Sequence, residues 1–266
     1  MHNAAFKTVG LNWVYVPWAV RPDDLPCAVS GLNVLGVKGF NVTVPHKERV
    51  VPLLEHLEGD AKLIGAVNTV VMSVQGLTGY NTDVIGFVKS IETSFDGKIF
   101  RSGMIYGSGG AARAVLLGLI KLGVRKICCT DIDITRAEKL VSAPWVVEFG
   151  RKNNIEIAII NKSELEKAVK TADLIVNATP VGMKQGDPSI VPPSWLREDQ
   201  TVVDLVYHGG DTPLVRVARQ QNATAINGLG MLMEQAASAF EIWTGRPAPK
   251  DVMSRVLEEA NCGKAG

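Results

Sequence analysis

Glycines interrupt the chain at Gly107-Ser108-Gly109-Gly110-Ala111-Ala112, between an apolar run, Gly103-Met104-Ile105-Tyr106, and a helix-like run, Ala114-Val115-Leu116-Leu117. A strand that turns sharply into a helix gathers unpaired backbone N–H groups and the positive end of the helix dipole at one spot. Glycines there let a pyrophosphate approach the backbone. A second apolar run, Lys126-Ile127-Cys128-Cys129-Thr130, ends in Asp131. That lies near the spacing of roughly 20 residues at which a dinucleotide site carries the acid that holds the ribose hydroxyls. The chemistry indicated is dinucleotide binding by Gly107, Ser108, Gly109, Gly110, Ala111 and Asp131. The competing reading is a strand, turn and helix with no ligand.

Other polar residues fall where apolar runs end: Asn41, Thr43 and Lys47; Asn68 and Thr69; Thr82 and Asp83; Asn177-Ala178-Thr179-Pro180-Val181-Gly182-Met183; and Asp204-Leu205-Val206-Tyr207. Ligands of open α/β sheets bind off the carboxyl ends of the strands, so these groups are expected to converge on a cleft between two domains. Lys47 follows Pro45 at an expected helix start, where a cation opposes the helix dipole and needs some other reason to be present. Asp83 is more ordinary in isolation, because an acid before a helix usually caps it.

The elements that must position these residues alternate along the chain. The spacing predicts a short helix over 1–8, a strand Trp13-Val14-Tyr15-Val16, a helix over 22–35 and a strand over 39–44. A helix is expected from His46 to Val51, then short pieces around Pro52 and Gly59. A strand over 66–72 and a hairpin through Gln75-Gly76 precede a helix over 84–93. Further strands are expected at 103–106, 126–130, 155–160, 173–177, 201–205 and 223–226, with a capping box at Ser163-Glu164-Leu165-Glu166. Helices over 231–243 and 251–260 close the chain and should pack back on the first domain.

The resulting fold class is α/β with two domains: a substrate domain with a mixed sheet over 1–82 plus 228–266, and a Rossmann-like doubly wound domain over 83–227. The 266 residues carry 28 basic and 27 acidic side chains, a net charge of +1 that offers no nucleic-acid signature. No apolar run is long enough for a membrane span, and no signal-peptide pattern opens the chain. Cys27, Cys128, Cys129 and Cys262 lack metal-ligand spacing and read as small buried hydrophobes, which fits a reducing cytoplasm.

Five stretches carry a specific resemblance: Asn41-Val42-Thr43-Val44-Pro45-His46-Lys47, Gly65-Ala66-Val67-Asn68-Thr69, Gly79-Tyr80-Asn81-Thr82-Asp83, Asn177-Ala178-Thr179-Pro180 with Gly182-Met183, and Asn227-Gly228-Leu229-Gly230-Met231-Leu232 with Gln235. In order and over essentially the whole chain, they resemble the successive signatures of the shikimate/quinate dehydrogenase family. The resemblance implies reversible, nicotinamide-dependent interconversion of shikimate and 3-dehydroshikimate, or of the quinate pair, in the chorismate route to aromatic amino acids. Lys47 and Asp83 match the catalytic pair. Oxidising a ring alcohol needs a hydride acceptor on one side and a group that takes the hydroxyl proton on the other. Thr43, Asn68, Thr82, Tyr207 and Gln235 match substrate-binding positions, and Arg136, Thr179, Val206 and Gly228 complete the cofactor side. The implied partner is a small molecule, with no nucleic acid, membrane or metal, and with a homodimer left open.

Two departures stand out. About twenty residues of the family's usual beginning, a strand and a turn of two hydroxyl residues that bind the substrate carboxylate, look absent before Met1-His2-Asn3. An internal methionine taken as the start would explain this. A truly shortened protein is expected to bind substrate weakly and dissolve poorly. At the cofactor end, Thr130-Asp131-Ile132-Asp133 stands where NADP-using members carry an Asn-Arg-Thr-like basic cluster. A carboxylate there accepts from a free ribose diol and repels a phosphate, which favours NAD. Arg136 on the following helix keeps NADP open. Two alternatives remain: a dinucleotide- and shikimate-binding protein impaired in turnover, and a methylene-tetrahydrofolate dehydrogenase-like enzyme, which does not account for Asn68, Asp83 and Gln235 together.

Overall fold

Strands with polar ends occur in the first part of the chain, and in the second part the central strands are buried along their length. The computed structural model describes residues 1–207 and 210–262. Contacts divide the chain into one unit of Met1–Gly86 with Leu232–Glu259 and another built on Phe87–Met231. Residues 263–266, at the end of the expected substrate domain, lie outside the described residues.

The first unit contains α1 (His2–Thr8), α2 (Leu25–Val34), β1 (Gly39–Asn41), β2 (His56–Leu57), α3 (Gly59–Ile64), β3 (Thr69–Ser73) and β4 (Gly76–Tyr80). Its sheet is mixed, in the order β1-β3-β4-β2: β3 is antiparallel to β1 and β4, while β2 runs parallel to β4. Leu25, Val29, Phe40, Val50, Val67, Val70 and Leu77 form its core. The next helix, α4 (Thr82–Ser94), begins two residues before the expected start.

The second unit runs β5 (Ser102–Tyr106), α5 (Gly110–Lys121), β6 (Lys126–Thr130), α6 (Ile134–Val141), α7 (Pro144–Asn153), β7 (Glu156–Ile159), α8 (Leu165–Thr171), β8 (Leu174–Asn177), β9 (Thr201–Asp204), α9 (Pro213–Gln220) and β10 (Thr224–Ile226). All six strands are parallel in the order β10-β9-β8-β5-β6-β7. The order reverses between β5 and β8, which opens a crevice at their carboxyl ends. The chain closes with α10 (Leu229–Thr244) and α11 (Lys250–Cys262). Within the first unit, Phe240 stacks on Phe6 and Trp243 Nε1 donates to Val70 O at 3.0 Å. No helix among the described residues is long and apolar enough to cross a membrane.

Several local expectations need correction. Trp13 to Val16 forms no regular element and joins no sheet. A groove of about 610 Å³ is lined both by these residues and by Gly39, Phe40 and Asn41 of β1. The Asn3 amide instead satisfies the backbone of Tyr15, accepting from its N at 2.6 Å and donating to its O at 2.9 Å. The strand expected over 39–44 ends at Asn41, and His46 to Val50 forms turns rather than a helix. Lys47 is therefore not a cation at a helix start, and the dipole argument for it falls. The strand expected over 66–72 begins at Thr69, because Ala66, Val67 and Asn68 bond irregularly to Asn81, Lys47, Val42 and Tyr80. No capping box forms: α8 starts at Leu165 without a side-chain cap, and Glu164 accepts instead from Asn161 N. Cys27 is exposed and Cys128 half-buried, so only Cys129 fits the buried reading among the cysteine side chains described.

Candidate active site

Lys47 reaches the site from the turn after β1, which is held by hydrogen bonds from His46 N to Thr43 O (2.8 Å) and from Val67 N to Lys47 O (2.8 Å). Asp83 lies in the first turn of α4, where a carboxylate ordinarily serves the helix. Asn81 performs that service: its Oδ1 accepts from Asp83 N (3.0 Å) and Val84 N (3.3 Å), while its Nδ2 donates to Ala66 O (2.9 Å). The Asp83 carboxylate is thereby released for another partner. Lys47 Nζ sits 2.6 Å from Asp83 Oδ2, with the two side chains only 12% and 6% exposed. An ion pair this dry is an expensive feature that packing alone does not require.

Neutral hydrogen-bonding groups surround the pair. Asn68 Nδ2 donates to Asp83 Oδ1 (3.0 Å), Thr82 Oγ1 (2.9 Å) and Gln235 Oε1 (3.2 Å), joining the segment just before β3 to α4 and α10. Thr82 Oγ1 also lies 3.4 Å from Gln235 Oε1, and Gln235 Nε2 donates to Leu232 O (3.1 Å). Lys47, Asn68, Thr82, Asp83 and Gln235 therefore form one cluster inside the first unit. Thr43 is exposed in the turn before Lys47, outside that hydrogen-bonded group. Sequence reasoning placed Asn41 and Thr69 among the polar residues expected at a cleft without giving either a role, and it did not single out Asn81, although all three lie within the quoted motifs. A short polar side chain beside each chemically active one was the available signal.

The second unit gathers the other named residues at the carboxyl ends of its strands. Gly107 has φ of +103°, and a Cβ there would meet Ala178 O at 3.0 Å, so the glycine turn and the loop after β8 pack against each other. Ser108 is buried and donates to the Asp131 carboxylate, whose Oδ1 also accepts from Asp133 N (3.0 Å). α5 begins at Gly110 with Gly109 as its N-cap, which aims the helix N-terminus at the turn and leads directly into Ala111. Arg136 on α6 brings Nη2 within 3.5 Å of where a Cβ on Gly109 would lie, placing a cation over the glycine turn. Thr179 Oγ1 donates to Asn177 Oδ1 (2.6 Å), and Gly228 N donates to Val206 O (3.1 Å). Tyr207 is partly exposed at the end of this loop system. Fully buried Asp204 ties the loops together, accepting from Asn177 Nδ2 (2.8 Å), Val206 N (3.1 Å) and Thr212 Oγ1 (2.6 Å). Burial raises its carboxyl above the usual range, opposed by these donors. The turn thus fits a dinucleotide: its glycine leaves no room for a side chain, a helix N-terminus faces it, and a carboxylate ends the adjacent strand.

Residues 1–70 match the family model described as the shikimate dehydrogenase substrate binding domain, and 228–258 the one described as the shikimate 5'-dehydrogenase C-terminal domain. Shikimate dehydrogenase (NADP(+)) of Methanopyrus kandleri is 43% identical over 265 residues, covering 97% of this chain and 89% of the relative. A crystal structure of a shikimate dehydrogenase in complex with NADP+ superposes with a TM-score of 0.86 at 39% identity, covering 97% of this chain and 89% of that one. Quinate dehydrogenase from Corynebacterium glutamicum in complex with NAD gives a TM-score of 0.86 at 31% identity, covering 97% and 92%.

Proposed function

The chain belongs to the shikimate dehydrogenase family, and on that premise we propose that it reversibly oxidises shikimate to 3-dehydroshikimate with a nicotinamide dinucleotide, quinate being the competing alcohol. One observation carries the reading: the buried Lys47–Asp83 pair, ringed by the neutral donors and acceptors of Asn68, Thr82 and Gln235. Several neutral groups suit a ring bearing several hydroxyls better than a further charge would. A bound nicotinamide supplies the hydride acceptor. Lys47 Nζ carries the proton of the reacting hydroxyl, taking it up in oxidation and returning it in reduction. Asp83 holds that ammonium in one place, so the proton is delivered to one atom. In this reading Asn68, Thr82, Gln235, Thr43 and Tyr207 bind the ring, and Lys47 and Asp83 handle its proton.

The cofactor lies in the second unit on Gly107, Ser108, Gly109, Gly110 and Ala111, with Thr179, Val206 and Gly228 on the adjoining loops. We assign NAD as the preferred form. Asp131 is oriented by the Ser108 hydroxyl and by Asp133 N, and the neighbouring Ile132 is fully exposed where a basic side chain would be needed for a phosphate. Arg136 lies over Gly109 and suits the pyrophosphate.

Steady-state assays of shikimate and quinate, each with NAD and with NADP, test the reading. Turnover with NAD is expected. A preference for NADP of tenfold or more, about 1.4 kcal/mol, would overturn the cofactor choice, and no turnover of either alcohol with either cofactor would overturn the function. The same reading places the enzyme in the cytoplasm and leaves monomer or homodimer to light scattering.

A further inference from the structure

The amide of Asn68 presents its nitrogen to Asp83, and that orientation has a visible cause. Nδ2 can only donate, so a reversed amide would set an acceptor against the carboxylate. Asn68 Oδ1 faces the other way, accepting from Thr82 N (2.8 Å) and from the Thr69 hydroxyl (3.0 Å), with the Thr82 hydroxyl at a longer 3.2 Å. A hydroxyl rotates, and Thr69 Oγ1 also lies 3.3 Å from Thr82 Oγ1. Asn41 removes part of that freedom: its Nδ2 donates to Thr69 Oγ1 (3.0 Å), so the Thr69 proton cannot point back at it. The Asn41 amide is itself held, with Nδ2 on Asn68 O (3.0 Å) and Oδ1 accepting from the Tyr15 hydroxyl (3.0 Å). Donors therefore run in one direction, Tyr15 to Asn41 to Thr69 to Asn68 to Asp83. Thr69 is fully buried and Asn68 nearly so, which shields the Thr69–Asn68 link from solvent.

We infer that Thr69 and Asn41 are positioning residues for the Lys47–Asp83 pair, acting through the amide of Asn68. The inference rests on the proposed dehydrogenase reading, since positioning matters only if the pair does chemistry. Neither residue bonds Lys47 or Asp83 directly.

Two opposite changes at one residue separate orientation from packing. Thr69→Val keeps the shape and removes the hydroxyl, whereas Thr69→Ser keeps the hydroxyl and removes a buried methyl. With shikimate and NAD, Thr69→Val is expected to lower kcat about tenfold or more, the scale of one buried hydrogen bond to a charged group, with a smaller change in KM. Thr69→Ser should stay within about twofold in kcat although it loses more thermal stability, through the missing methyl. Asn41→Leu, which frees the Thr69 proton to turn towards Thr82, should follow Thr69→Val. The side-chain amide resonance of Asn68, observed by nitrogen-15 NMR, reads the same orientation without turnover and should lose exchange protection in Thr69→Val but not in Thr69→Ser. Unchanged kcat in Thr69→Val, or equal losses in both variants, overturns the inference. If the unaltered chain oxidised neither shikimate nor quinate, the parent reading would fall. The amide resonance would then still decide whether Thr69 orients Asn68.

Discussion

At the scale of residues, Asp83 is the instructive case, because its position in the first turn of α4 suggests a cap and its side chain serves Lys47 instead. Only the capping bonds of Asn81 reveal this, so the role of Asp83 was ambiguous in the sequence without the family resemblance. Lys47 was legible through the family resemblance, while the dipole argument for it falls because it stands in a turn and no helix dipole opposes it. Removing one partner of a buried pair leaves an uncompensated charge, so Lys47→Met and Asp83→Asn should each lose about 3–5 kcal/mol of stability. The double variant should recover much of that loss without recovering turnover, which should fall by roughly 10²–10⁴ in Lys47→Met. Urea unfolding alongside steady-state rates checks both. A double variant no more stable than the singles would contradict the pairing.

At the scale of elements, the second unit was the more legible. Parallel strands buried on both faces read as unbroken apolar runs, as in Leu174-Ile175-Val176 and Val202-Val203. In the first unit, residues 66–68 bond irregularly to neighbouring segments, so β3 starts later than its pattern suggests, and Trp13 to Val16 joins no ladder. Close packing of loops was not legible at all. Gly228 lies so near the backbone of Leu205 that a Cβ would stand 2.1 Å from its carbonyl oxygen. Gly228→Ala should therefore push the Val206 loop aside, costing about 1–3 kcal/mol or more as overpacking and weakening cofactor binding more than shikimate binding. Thermal unfolding and cofactor titration measure the two effects. An unchanged dissociation constant for NAD would show that the loop does not shape the cofactor site.

At the scale of the whole molecule, one buried titratable group in each unit carries a pH dependence, and the two have opposite signs. His2 is buried in the first unit against the rings of Tyr15 and Trp243, and burial lowers its pKa to about 4. A histidine held neutral contributes stability above its unfolded value of ~6.5 and loses it as pH falls towards 4, a total of roughly 3 kcal/mol. Asp204 in the second unit is shifted upward, so its contribution is present in acid and lost as pH rises through its folded value. The first unit should consequently weaken first between pH 6.5 and 4, and His2→Phe should flatten that slope. Urea midpoints across this range, followed by hydrogen exchange in each unit, provide the measurement. An identical slope in His2→Phe would assign the acid sensitivity elsewhere.

The sequence alone determined the chemical inventory and the class of fold. Glycines that tolerate φ above zero, an acid at the end of the next strand, and apolar runs of strand length are local properties written in residue order. What only the tertiary structure decided is which of the polar residues meet and which way their protons point. Asn68 and Gln235 stand 167 positions apart, and they bond because α10 belongs to the first unit. The glycine turn at Gly107 could be read from neighbours in the chain. The direction of the Thr69 hydroxyl could not, because a rotating O–H takes its orientation from whatever surrounds it in space.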